Sequence, residues 1–213
     1  VTLEPVYTGN SGGGGIPKWV DWYLEENFSG NCLNFGYTQV GQENSFGWDA
    51  MNLGLTYQIE KIAKLQEQGK LEIETLAETG AWFKKTYAVT PATTVVAETD
   101  WKNSGHKSVW YNCKNYRINI FADGNTFWIR DMYLFNESYR ERYIDNVCTT
   151  DSMQFDNLPI IDGNRFSGNG IRAGIYPMVE GIKFTYSEME YIEEDNNAIV
   201  CFKDTPCGDV TFT

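Results

Sequence analysis

The sequence predicts an α+β chain in two parts: a β/α segment over residues 1–91, partly TIM-barrel-like, and then an antiparallel β-sandwich over 92–213. Three observations predict it. Helical periodicity alternates with short apolar runs as far as Tyr87. Beyond Pro91 the pattern changes to short alternating segments separated by Gly- and Asn-containing turns. With 213 residues, 42% of them hydrophobic, the chain is long and apolar enough for a packed core in one large or two small domains.

The first part is read element by element. Residues 1–7 predict a short strand, and Asn10 to Gly15 a glycine-rich loop, mobile over the strand ends. Pro17 suits a first helical position, Val20, Tyr23, Leu24 and Phe28 follow at helical spacing, and Gly30 ends the helix. Cys32-Leu33-Asn34-Phe35-Gly36-Tyr37 reads as a buried strand. After the loop from Gln39 to Gly47, a helix from Trp48 to Gln68 turns Met51, Leu55, Ile59, Ile62 and Leu65 to one apolar face. Lys61, Lys64 and Lys70 complement its negative end, and Gly69 closes it. Leu71 to Leu76 predicts a strand, and Glu78 to Tyr87 a short helix. This order implies parallel strands with right-handed crossovers, three strands and three helices being the last third of a barrel or a small open sheet.

The second part reads as β throughout. Asp123-Gly124-Asn125 lies between Arg117–Phe121 and Phe127–Arg130, a hairpin signal of alternating strands around a glycine turn. Asp162-Gly163-Asn164 is a second such turn, and Asp195-Asn196-Asn197 separates Glu190–Glu193 from Ala198–Phe202. Val210 to Phe212 is the last strand.

A net charge of −12 argues against nucleic acid and anionic lipid, which need clustered Lys and Arg. Neutral glycans, cations and basic partners remain open. No apolar run approaches the ~20 residues that span a bilayer. Five Cys without a CxxC pair, and a single His, argue against a zinc site, so no metal or cofactor is expected. Cys201 and Cys207 flank a turn and read either as a local disulfide or as two buried thiols. His106 reads as a surface-loop residue. The chain opens on Val1 without an initiator Met or signal peptide, which predicts a processed or truncated product.

The most suggestive chemistry is Tyr37 to Trp48, just past a predicted parallel strand, where ligands bind in α/β folds. Gln42, Glu43 and Asn44 bring amide and carboxylate groups beside glycines and aromatic rings, the combination a sugar requires. The same segment also reads as a helix start, with Ser45 as cap and Asp49 favouring the dipole. Glu72 and Glu74 share a face of the next predicted strand, and Glu78 follows it. Glu43 with Glu74 or Glu78 would supply the paired carboxylates of a glycosidase; an edge strand and an ordinary first-turn charge are the structural alternatives. Trp101, Trp110 and Trp128 are candidate sugar platforms, although Trp110 and Trp128 lie in strand patterns that suit a core.

The stretch from Pro17-Lys18-Trp19-Val20-Asp21-Trp22-Tyr23 through Gly41–Trp48 to Glu78-Thr79-Gly80-Ala81-Trp82-Phe83 resembles secreted proteins of gut Bacteroides-type bacteria. In these a barrel like those of glycoside hydrolases and polysaccharide deacetylases precedes a β-sandwich. The resemblance covers residues 1 to about 140. It implies a secreted, periplasmic or cell-surface protein whose N-terminal region is absent here. The Asp and two His of deacetylase-like barrels have no counterpart in a chain with one His.

Two functions are carried forward. The first is the C-terminal portion of a carbohydrate-active enzyme, a glycoside hydrolase with catalytic Glu43 and Glu74 or Glu78, and Gln42, Asn44, Trp48 and Trp82 orienting a poly- or oligosaccharide. The second is a non-catalytic glycan-binding or surface-assembly protein. A purely structural fragment is the third alternative.

Overall fold

The computed structural model describes residues 3–29, 33–41, 43–136, 138–140, 142–152, 158–194 and 197–213. Among them the chain is α+β, with three α-helices and antiparallel sheets. It divides into two compact units: Val1–Ala88 with Val95–Lys107, and Val89–Thr94 with Ser108–Thr213.

The first unit contains α1 (Pro17–Phe28), α2 (Trp48–Glu67) and α3 (Leu76–Thr86). Pro17 opens α1, where its missing N–H costs no helical hydrogen bond. Val20, Tyr23 and Leu24 of α1 meet Ile62 and Leu65 of α2 and Leu3 in one core. Tyr57 of α2 donates to Asp21 of α1 at 2.8 Å.

The apolar face of α2 differs from its expected phase. Met51, Gly54, Gln58, Ile62 and Leu65 are buried, whereas Ile59 is 55% exposed. The glycine-rich loop explains the rotation. Gln58 Nε2 donates to Gly14 O at 2.6 Å, and a Cβ on Gly54 would lie 2.3 Å from Pro5 O. A Cβ on Gly14 would likewise sit 2.5 Å from Glu4 O. The glycines allow backbone to pack on helix, so the loop expected to be mobile is instead tightly packed.

The three strands expected before residue 91 do not form among the described residues. Residues 3–7, 33–37 and 71–75 run as turns or extended segments, and Leu76 already belongs to α3. Asn34 has φ 63°, which interrupts an extended run. Thr75 caps α3 and draws the end of the third segment into a helix start. A short apolar run suits a strand and a packed extended segment equally, and periodicity does not separate them. Without these strands there are no parallel crossovers, and the partial barrel has no footing among the described residues. Gly30 and Cys32 lie outside them.

The strands are β1 (Thr93–Ala97), β2 (His106–Asn112), β3 (Tyr116–Asp123), β4 (Thr126–Leu134), β5 (Leu158–Asp162), β6 (Met178–Val179), β7 (Ile182–Lys183), β8 (Met189–Glu194), β9 (Asn197–Thr205) and β10 (Gly208–Phe212). One sheet has the order β1-β2-β3-β4-β5, a second β10-β9-β8, and β6 and β7 form a ribbon. Asp123 pairs with Thr126 around Gly124, which has φ 59°, as the glycine turn predicts. The β8–β9 pairing closes at Glu194 and Asn197; Asp195 and Asn196 of the expected turn lie outside the described residues.

Directly opposed residues share a sheet face. Ile120, Ala122 and Phe127 are buried, and Phe127 stacks on Phe202 of β9 with ring centroids 3.8 Å apart. The register shifts between Asn119 and Ile120, so Arg130 of β4 has no opposed residue. Cys201 and Cys207 are both free thiols, the first buried and the second exposed, so no local disulfide joins them.

Candidate functional site

A groove of about 700 Å³ lies within the first unit. Its walls come from the C-terminal half of α1, the extended segment 34–40, residues 70–74 and the start of α3. The volume falls within the range of small-ligand sites. Tyr23 and Thr38 hydroxyls, 2.9 Å apart, tie the extended segment to α1. Leu3 N–H donates to Gln39 O at 3.0 Å on the same segment. Asn27 Nδ2 donates to Tyr23 O at 2.7 Å, which fixes its amide on α1.

The groove combines rings with hydrogen-bonding groups. Tyr37 is 47% and Trp82 42% exposed, and both line it. Trp82 is held edge-on by Phe35 at 5.6 Å and by Tyr87 at 5.7 Å. The cluster leaves part of the indole in solvent. Gln39, Lys70, Glu72 and Glu74 supply donors and acceptors along the same walls.

Of the residues expected to act together, only some line this groove. Glu74 and Trp82 line the groove; Glu43, Trp48 and Glu78 do not. Glu74 Oε2 accepts from the Thr79 hydroxyl at 2.7 Å. Glu78 is exposed and forms a capping box: its Oε2 accepts from Thr75 N at 2.9 Å, and Thr75 Oγ1 accepts from Glu78 N at 3.3 Å. The backbone bond from Thr75, with the side-chain bond beside it, holds the Glu78 carboxyl below its ordinary range. The spacing Thr75-x-x-Glu78 is itself the sequence signature of this cap.

Glu43 is exposed, and its N–H donates to Glu4 Oε2 at 3.2 Å. Glu4 is buried, and nothing in the local sequence pattern marks it for that role. Trp48, 61% exposed, opens α2. Asn44 begins a 3₁₀ turn, Asn44–Phe46, and Gln42 lies outside the described residues.

The other tryptophans and the histidine have structural surroundings. Trp128 is 3% exposed and stacks on Tyr176 at 5.2 Å, which makes it a core ring rather than a sugar platform. Trp101 lies under Lys102 Nζ at 4.8 Å. His106 begins β2 and is half-buried rather than in a surface loop. Its N–H donates to Asp100 Oδ2 at 3.1 Å. Burial would raise the Asp100 carboxyl, but hydrogen bonds from His106, Ser104 and Lys102 outweigh it and hold the group at about 2. Among the described residues no group of three or more His, Cys, Asp or Glu is placed to hold a metal, and no helix is long and apolar enough to cross a membrane.

No protein-family model, curated protein or solved structure matches the chain.

Proposed function

We propose that the chain is a non-catalytic glycan-binding protein acting outside the cytoplasm, with its ligand site in the groove bounded by Tyr37, Gln39, Glu72, Glu74 and Trp82. The observation that carries this reading is the pairing of two part-exposed rings with amide and carboxylate groups in one groove. Flat rings cover the C–H faces of a sugar while the polar groups take its hydroxyls. The resemblance to secreted Bacteroides-type proteins supports an extracytoplasmic location. The two sheets joined through Phe127 and Phe202 are read as the β-sandwich of such a protein.

The hydrolase is the second reading. It is favoured by Glu74 lining the groove beside Glu72. It is weakened because Glu78 serves as a helix cap and Glu43 does not line the groove.

Titration calorimetry with neutral xylo-, manno- and gluco-oligosaccharides tests the proposal. Binding to at least one series is expected, with Trp82→Ala weakening it tenfold or more, about 1.4 kcal/mol. Binding unaffected by Trp82→Ala, or absent from every series, would overturn it. Release of reducing ends that stops in Glu74→Gln would instead establish the hydrolase.

A further inference from the structure

The face of the larger sheet opposite Phe127 carries an arginine that its surroundings leave unsatisfied. Phe121 and Trp128 are directly opposed there, with ring centroids 5.2 Å apart. Two guanidinium groups share this face with Trp110, at 5.8 Å for Arg117 and 6.0 Å for Arg130. Arg117 is paired with a carboxylate. Its Nε and Nη2 donate to the two carboxylate oxygens of Asp131 at 2.9 and 3.2 Å, and its guanidinium lies 4.1 Å from the Tyr133 ring centre.

Arg130 differs. Its guanidinium carbon is 4.3 Å from the Phe121 centroid, and its Nε is buried without a hydrogen-bond partner. No carboxylate pairs with it among the described residues, although the chain has 29 acidic residues against 17 Lys and Arg. Burial also pushes the guanidinium below its ordinary value, against the raising effect of Asp131. Trp128 Nε1, on the same face, is also buried without an acceptor, but it packs against Gly174 and so senses this face rather than meeting a ligand. Buried donors normally find partners, and leaving one unmet costs about 1–3 kcal/mol. The register shift that leaves Arg130 unopposed is the kind of irregularity that re-aims a side chain.

We infer that Arg130, steadied between Phe121 and Trp110, anchors a binding site for an organic carboxylate, separate in its residues from the groove of the first unit. With Nε buried, an incoming carboxylate meets the two terminal Nη groups, whose paired N–H donors match it, and the adjoining rings hold the guanidinium plane. Arg117, already neutralised by Asp131, leaves Arg130 as the cation that an incoming acid meets.

The test is a nitrogen-15 NMR titration of the whole chain, following the tryptophan indole N–H signals. Sodium D-glucuronate is the probe, D-glucose its neutral counterpart, and sodium chloride the ionic-strength control. Saturable shifts of Trp110 and Trp128 are expected with glucuronate alone, and a loss of affinity of tenfold or more in Arg130→Gln. Arg130→Lys keeps the charge without the planar fork, so it is also expected to bind at least tenfold more weakly; it serves where Arg130→Gln fails to fold. Shifts no larger than with chloride, or either folded variant binding as tightly as the parent, would overturn the inference. Binding in the groove moves Trp82 instead, so the two readings fail separately.

Discussion

Glu78 shows how one residue's role is decided by its nearest neighbours. A carboxylate after an apolar run reads as a catalytic candidate, yet Thr75 three residues earlier makes it half of a capping box. Gly54 makes the same point in the core. Its missing side chain lets α2 approach the Pro5 carbonyl, and a Cβ there would be 2.3 Å from that oxygen. Gly54→Ala is therefore expected to destabilise the chain by about 1–3 kcal/mol, the usual range for overpacking, despite the better helix propensity of alanine. Urea denaturation measures it, and an unchanged or raised stability would show that the loop is not seated on the helix.

Elements combine such residues into faces, and α1 has two of consequence. Val20, Tyr23 and Leu24 enter the core, while Glu26 is half-buried. Burial first, then the charges of Glu98 and Glu25, raise the Glu26 carboxyl to about 7 from an ordinary 4.5. The folded chain therefore holds a proton that the unfolded chain has released across that interval. Its contribution to stability is present below about pH 4.5 and is lost as pH rises through about 7. Glu26→Gln is expected to flatten the fall in stability between pH 5 and 8 and to leave the variant the more stable of the two at pH 8. Denaturation midpoints across that range check it; parallel profiles for parent and variant would refute the assignment.

At the scale of the whole molecule, each unit has its own core. That of the first is Leu3 with the inner faces of α1 and α2. In the second, Phe127 and Phe202 join two antiparallel sheets, with Tyr186 and Phe212 set edge-on to Phe202. Phe202 is fully buried, so Phe202→Ala is expected to cost about 3–5 kcal/mol, from lost transfer energy and the cavity left behind. Calorimetric unfolding measures the loss. A shift of only a degree or two would mean that the ring contact does not hold the sheets together.

Sequence alone determined the mixed α+β composition, α1 and α2, and the turn at Gly124, because helical period, Pro17 and a glycine between alternating strands are local signals. Trp82 and Glu74, candidates by residue type and neighbourhood, line the groove. Other features depended on partners distant in sequence. The runs 33–37 and 71–75 carry strand-like composition, but a strand exists only where another chain segment completes its ladder. The buried face of α2 runs through Gly54 and Gln58 because backbone from residues 5 and 14 rests there. Glu43 and Glu78 do not line the groove, and Arg130 has no carboxylate paired with it among the described residues, through packing and register. Tertiary structure decided these because side-chain convergence is a property of how elements meet, which no local pattern encodes.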